Sequence, residues 1–237
     1  MTEGLRERKK REMRRRLSDT AARLFLQHGF DAFRVADVAE ACGVSEKTVF
    51  NYFPTKEALV LDRLETTMSA LRAGLADSSA PPVQAALRIL DTELTAMTAS
   101  VARSGDPGSA IAGYRRFGEL IGATPSLRAY QSDTMDRFVE VAAELLAERV
   151  GLRPDDPEPQ IAAASLLGLW RVQFQSLRRH LATTPDPAKL HEEVTADVHR
   201  AARLIERSAG QPPTTQIGMR GCCTGGGGGL KSLAVTR

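Results

Sequence analysis

The window "GVSEKTVFNYFPTKEAL" (residues 43–59) constrains this chain more than any other stretch. Ser45 is placed to cap a helix by accepting from its first free backbone N–H groups, and Thr55 is placed to cap a second one. Pro54 lies between them, eight residues after Glu46, so the helix that Ser45 opens can have only two turns. Such a helix is too short and too polar to be a core by itself. Just upstream, Val35, Val38, Ala39 and Cys42 form another short apolar stripe that ends at Gly43. Two short helices about a tight glycine turn make the layout of a helix-turn-helix.

The rest of the chain reads as helices separated by breakers. Leu17, Ala21, Leu24 and Phe25 give the stripe of a first helix, which Gly29 and the following Phe30 stop. The helix opened by Thr55 runs through Lys56, Leu59 and Leu64 to about Leu75. Beyond it, "DSSAPP", "SGDPG", "GATP", "RPDDPEP" and "TTPDP" punctuate five further helical segments. In "GATP", Thr124 is the expected cap and Pro125 the first helical residue. About nine helices and no alternating strand pattern predict an all-α fold. The expected division is a helix-turn-helix head over residues 1–54 and a helical ligand-binding and dimerisation body over residues 55–210. Residues 211–237, rich in glycine and without periodicity, read as a disordered tail.

Composition narrows the function. Apolar residues make up 42% and charged residues 26%, enough for a packed core. No apolar run reaches membrane-spanning length, so no membrane partner is expected. Three cysteines, two of them adjacent in the tail, do not suggest a disulfide framework, and a reducing cytoplasm is the expected location. The net charge of +3 is unevenly placed. Residues 1–60 carry 12 basic and 9 acidic side chains, while residues 61–237 carry 20 of each. The excess is steepest in residues 1–16, with 8 basic and 3 acidic. Such a run acts as a phosphate-binding arm only if a DNA-reading element follows.

The short helix opened by Ser45 is suited to that reading. Val49 and Phe53, at i and i+4, can lock it onto Val38 and Ala39, leaving Lys47, Thr48, Asn51 and Tyr52 outward. A cation, a hydroxyl, an amide and a phenol match the phosphate oxygens and base edges of a major groove. Lys56 adds a charge at a helix N-terminus whose N–H groups already favour an anion.

"LSDTAARLFLQHGFDAFRVADVAEACGVSEKTVFNYFPTKEALV" (residues 17–60) resembles the DNA-binding domain of the tetracycline-repressor (TetR) family. The resemblance implies a homodimeric, cytoplasmic repressor released from a double-stranded DNA operator by a small-molecule effector. It makes Ser45, Lys47, Thr48, Asn51 and Tyr52 the groove-facing or phosphate-facing set, and Lys56 a phosphate contact. Two positions depart from the family pattern. Arg34 replaces the usual threonine cap before the second helix, which loses a cap and gains a DNA-facing charge. Phe50 replaces a common tyrosine and has no hydroxyl to offer phosphate. The segment "ATPSLRAY" also resembles the mycofactocin-regulator branch of the family, which implies an acyl-type ligand.

In the body, periodicity selects Met97, Tyr114, Phe117, Phe138, Trp170, Gln173 and Phe174 as candidates to line a mainly apolar ligand pocket. Aromatics and methionines at such spacing also suit a plain core. The stripe Leu190, Val194, Val198, Ala201 and Ile205 on the last helix, with the apolar helix before it, suggests a four-helix dimer interface. No metal, cofactor or catalytic group is expected. His191 and His199 are eight apart, and no phosphate loop or nucleophile elbow is present. The alternatives are an architectural DNA-binding protein, which would spread positive charge over its body, or an all-helical enzyme.

Overall fold

The computed structural model describes residues 4–210; the predicted tail, with Cys222 and Cys223, lies outside the described residues. The described residues form ten helices and no strand. The head holds α1 (Leu5–His28), α2 (Val35–Cys42) and α3 (Glu46–Tyr52), followed by α4 (Lys56–Val60) and α5 (Arg63–Ala76). The body continues through α6 (Pro82–Arg103), α7 (Pro107–Ala123), α8 (Pro125–Val150), α9 (Pro157–His180) and α10 (Pro187–Gly210). All five of these body helices begin on proline, whose missing N–H and fixed φ suit the first helical position.

Two apolar cores organise the chain. The first gathers Leu17, Phe25, Phe33, Val38, Val49, Phe53 and Leu59, and takes in Ile121 of α7 and Leu127 of α8. The second runs from Leu71 and Leu75 through Leu90, Leu94, Phe138 and Leu166 to Leu190 and Val198. Each fully buried side chain of this size contributes about 1.5–3 kcal/mol. Arg149, near the end of α8, closes the body by donating to the carbonyls of Ala80 (2.5 Å), Ser78 (3.2 Å) and Leu75 (3.4 Å).

Several expectations need correction. The single helix read from Thr55 to about Leu75 is two helices, broken at Leu61 and Asp62. No proline or glycine marks the break; Leu61 and Leu59 turn into the head core while Leu71 and Leu75 serve the body. Thr124 does not cap α8 with its side chain, and its hydroxyl instead donates to Leu120 at 2.8 Å. The apolar stripe of α10 is spent within the chain. Leu190, Val194 and Val198 are at most 3% exposed, and Ala201 and Ile205 pack on the same core, against α6 and α9.

Asp197 fastens α10 to α9. It accepts from Ser176 at 2.7 Å, Arg179 at 3.0 Å and Arg200 at 2.5 Å. The Ser176 hydrogen bond, aided by His180 and the two guanidinium groups, holds its carboxyl below the usual carboxylate range. A depressed folded-state pKa gives stability that is present above the unfolded value and lost as pH falls through the folded one. Asp197→Asn is therefore expected to cost about 1.5–3 kcal/mol at neutral pH by thermal unfolding. The difference from the parent should shrink once the pH drops below about 4.

Candidate nucleic-acid interface

The position of α3 begins with the turn before it. Gly43 adopts φ 65 and ψ 35, the left-handed conformation in which a side chain is strained. The N–H groups of Gly43 and Val44 reach back to the carbonyls of Glu40 and Ala39, each at 3.0 Å, and close α2. Ser45 Oγ then accepts from the Thr48 N–H at 3.1 Å and shares a 2.9 Å hydrogen bond with the Thr48 hydroxyl. Val49 and Phe53, each 1% exposed, pin the helix to the head core. Thr55 Oγ1 caps α4 by accepting from Ala58 at 3.0 Å.

What α3 leaves outside is a small face of mixed chemistry. Ser45, Lys47, Phe50 and Asn51 are exposed and Thr48 is half-buried. Lys47, Phe50 and Asn51 stand at i, i+3 and i+4 and so share one face. Sequence reasoning treated Phe50 only as a lost hydroxyl, but its ring, 47% exposed, sits in the middle of that face. An exposed ring there can make apolar contact with a thymine methyl. The signal was available: position 50 lies between the buried Val49 and the outward Asn51.

Two predicted contacts are placed differently. Tyr52 is half-buried against the head core rather than projecting outward. Lys56 turns its ammonium inward, donating to the Phe30 carbonyl at 2.5 Å and lying 4.6 Å and 4.3 Å from the ring centres of Phe30 and Phe33. Burial lowers its pKa from the usual lysine value, against the pull of Asp31, Glu57 and Asp37. In this geometry Lys56 anchors α4 to the α1–α2 loop. Arg34 remains exposed as expected, and the cap it lacks is supplied by Asp37, whose carboxylate accepts from the Arg34 N–H at 2.8 Å. That backbone hydrogen bond holds the Asp37 pKa below its usual value. An acid three residues into a helix is half of a capping box and was legible in "RVAD".

Where head meets body, a clamp forms that no local pattern announces. Arg14 on α1 donates from Nε to Asp62 Oδ1 at 2.7 Å and from Nη1 to the Tyr52 carbonyl at 3.2 Å, with its guanidinium 4.6 Å from the centre of the Phe53 ring. Burial raises the Asp62 pKa, with Arg14 and Ser18 opposing. A cavity of about 640 Å³ opens beside this pair. It is walled by Tyr52 of the head, Leu64, Met68 and Arg72 of α5, and Tyr130, Arg137, Phe138 and Glu144 of α8. Its lining mixes charged side chains (Arg14, Asp62, Glu65, Arg72, Arg137, Glu144) with apolar ones (Leu61, Leu64, Met68, Phe138, Val141).

The predicted pocket residues are not gathered into one site. Only Phe138 lines this cavity. Phe117 points to the head, edge-on to Phe25 at 5.3 Å between ring centres. Met97 is part of the body core, and Tyr114 packs on it beneath the Arg63 guanidinium. Gln173 is buried beside Leu87, Leu90 and Val198, while Phe174 is exposed at the surface of α9. Trp170 is buried with no hydrogen-bond partner for Nε1, beside a Glu93 carboxyl whose pKa burial raises. Among the described residues no cluster suits a metal, and no helix is long and apolar enough to cross a membrane.

Comparison with known proteins follows the same division. Residues 17–62 match the family model for bacterial regulatory proteins of the tetR family, and residues 89–207 match the MftR C-terminal domain. The chain is 31% identical over 153 residues to the mycofactocin biosynthesis transcriptional regulator MftR assigned in Mycobacterium tuberculosis, covering 65% of this chain and 73% of that protein. It is 28% identical over 170 residues to the transcriptional regulator TcmR of Streptomyces glaucescens, covering 71% and 74%. Thermus thermophilus FadR, solved in complex with lauroyl-CoA, overlays with a TM-score of 0.48 at 21% identity, covering 90% of this chain and 100% of that one. MftR and TcmR are named as transcriptional regulators, which, with the family match, sets the enzymatic alternative aside. With a capped and pinned α3 presenting the exposed Lys47, Phe50 and Asn51, the chain belongs to the tetR family and is a DNA-binding transcriptional regulator.

Proposed function

We propose that the protein is a cytoplasmic repressor that binds a palindromic operator as a homodimer and is released by a small, mainly apolar, acyl-type molecule. The observation that carries the DNA half is the α3 face, where Lys47, Phe50 and Asn51 stand free on a helix that is locked on its other side. We assign base reading to Lys47, Phe50 and Asn51, and phosphate contacts to Arg34, Ser45 and Thr48. Tyr52 and Lys56 position the helix ends. Lys47→Ala is expected to weaken operator binding by about 1–3 kcal/mol relative to unrelated DNA if it reads a base edge. Fluorescence anisotropy on a duplex from upstream of the coding sequence measures both; equal losses on the two duplexes would make Lys47 a phosphate contact.

The dimer surface that suits the reading is the outer face of α9, since the α10 stripe is already used. Ile161 is 67% exposed and Phe174 37%, and between them Ala164 is exposed and Gly168 borders open space. Small residues flanked by exposed apolar ones let a second helix approach closely. Gly168→Arg is expected to convert a dimeric mass to a monomeric one by light scattering with helix content unchanged. A monomeric parent at micromolar concentration excludes this arrangement.

For the effector, the junction cavity offers apolar side chains such as Leu64, Met68 and Phe138 together with Arg14, Arg72 and Arg137 for a polar end. It touches α5, which leads away from the clamp, and α8. A molecule wedged there can re-space two recognition helices that must lie about 34–36 Å apart to enter successive major grooves. A coupling of about 1–3 kcal/mol suffices. Molecules that raise the thermal midpoint should lower operator affinity, and Phe138→Ala should blunt both effects. Stabilising ligands that leave operator affinity unchanged count against the switch.

A further inference from the structure

Helix α1 begins well before the domain needs it. Its first buried residue is Leu17, yet the helix starts at Leu5, and residues 5–12 are all exposed. Two turns that touch no core gain nothing from packing, and a short exposed helix is marginal alone. Surface pairs add little: Glu7 with Lys10 and Arg11, and Glu12 with Arg8 and Lys9, are worth only about 0.2–0.5 kcal/mol each and are opposed by Arg6 against Lys9 and Lys10.

The register of these cations is informative. The core stripe of α1 runs back from Phe25 through Ala21 and Leu17, and Arg14 continues it by clamping Asp62 and the Tyr52 carbonyl. Stepping back one and two further turns along that stripe gives Lys10 and Arg6, with Lys9 beside them. They overhang the head on the side where Arg14 meets the end of α3 and the start of α5, about 6 Å and 12 Å beyond Arg14. Arg14 itself marks the C-terminal end of α3, because the carbonyl it holds belongs to the last residue of that helix. The overhang therefore starts at the end of the recognition helix. Duplex DNA seated on α3 continues past that end and carries one negative charge per about 1.7 Å of axis.

We infer that the overhanging turns of α1 form a second DNA contact, in which Arg6, Lys9 and Lys10 grip backbone phosphates beside the groove that α3 occupies. The inference rests on the reading of α3 as the DNA-binding helix. The contact is sequence-blind, supplying affinity and register, while α3 supplies discrimination. It also explains why residues 1–60 hold the whole net charge of the chain.

The test is the triple substitution R6Q/K9Q/K10Q, which preserves helix propensity while removing three charges. Binding is measured from low to high salt on the upstream duplex and on a random-sequence duplex of equal length. Circular dichroism confirms that helix content is kept. Each phosphate contact removed lowers the slope of log K against log salt by about 0.9, so a loss of roughly 2.7 per protomer is expected if all three engage. The ratio of affinities for the two duplexes should stay as it was. A control with three body cations removed, R88Q/R103Q/K189Q, should leave the slope nearly unchanged. An unaltered slope in R6Q/K9Q/K10Q overturns the inference, as does an equal fall in the control. Absence of any preference between the duplexes in the parent is a failure of the α3 reading instead, and the slope on random DNA still decides whether the overhang binds phosphate.

Discussion

The clamp made by Arg14 is the interaction on which the rest of the arrangement depends. One guanidinium joins α1 to the end of α3, through the Tyr52 carbonyl, and to the start of α5, through Asp62. It also lies over the buried Phe53 ring, a contact worth about 0.5–2 kcal/mol. Asp62 stands where the chain changes from serving the head core to serving the body core. Removing either partner leaves a mostly buried charge uncompensated and frees the end of the recognition helix together with the first body helix. Asp62 at the start of α5 and the Tyr52 carbonyl at the end of α3 thus share one guanidinium.

The charge distribution and the cores agree with this division of labour. The head keeps its core facing inward and spends its polar surface on α3 and its cations on α1. The body is electrically balanced and ties its last helix down with Asp197, Ser176 and a set of neighbouring cations. On the outer face of α9, Ile161 and Phe174 remain exposed, and the cavity at the junction faces the clamp.

What was legible in the sequence was what short-range chemistry decides. Ser45, Thr55 and Gly43 act within four residues of themselves, and their roles as caps and turn follow from residue type and spacing. The lock through Val49 and Phe53 followed from helical period. At Arg34 the residue type alone signals a lost cap, and the reciprocal half of the capping box, Asp37 three residues on, is equally plain in "RVAD". The break at Leu61 and Asp62 was illegible, since it lies where the chain passes from the head core to the body core and is held by Arg14, 48 residues away. Periodicity likewise cannot say which neighbour an apolar face meets. So Phe117 was placed with a ligand pocket although it packs on the head, and the stripe of α10 was given to a partner although α6 and α9 cover it. Lys56 was assigned to phosphate on its position at a helix start, whereas two aromatic rings and a carbonyl draw it inward.

Amide hydrogen exchange with and without an operator duplex tests the central claim most directly. A two-turn helix such as α3 and the uncovered turns of α1 should exchange readily in the free protein, because few buried contacts hold them. On adding DNA, the account predicts slowed exchange over residues 44–53 and residues 5–16, with α6 and α10 unaffected. Slowed exchange confined to the body, or none in α3, would contradict it.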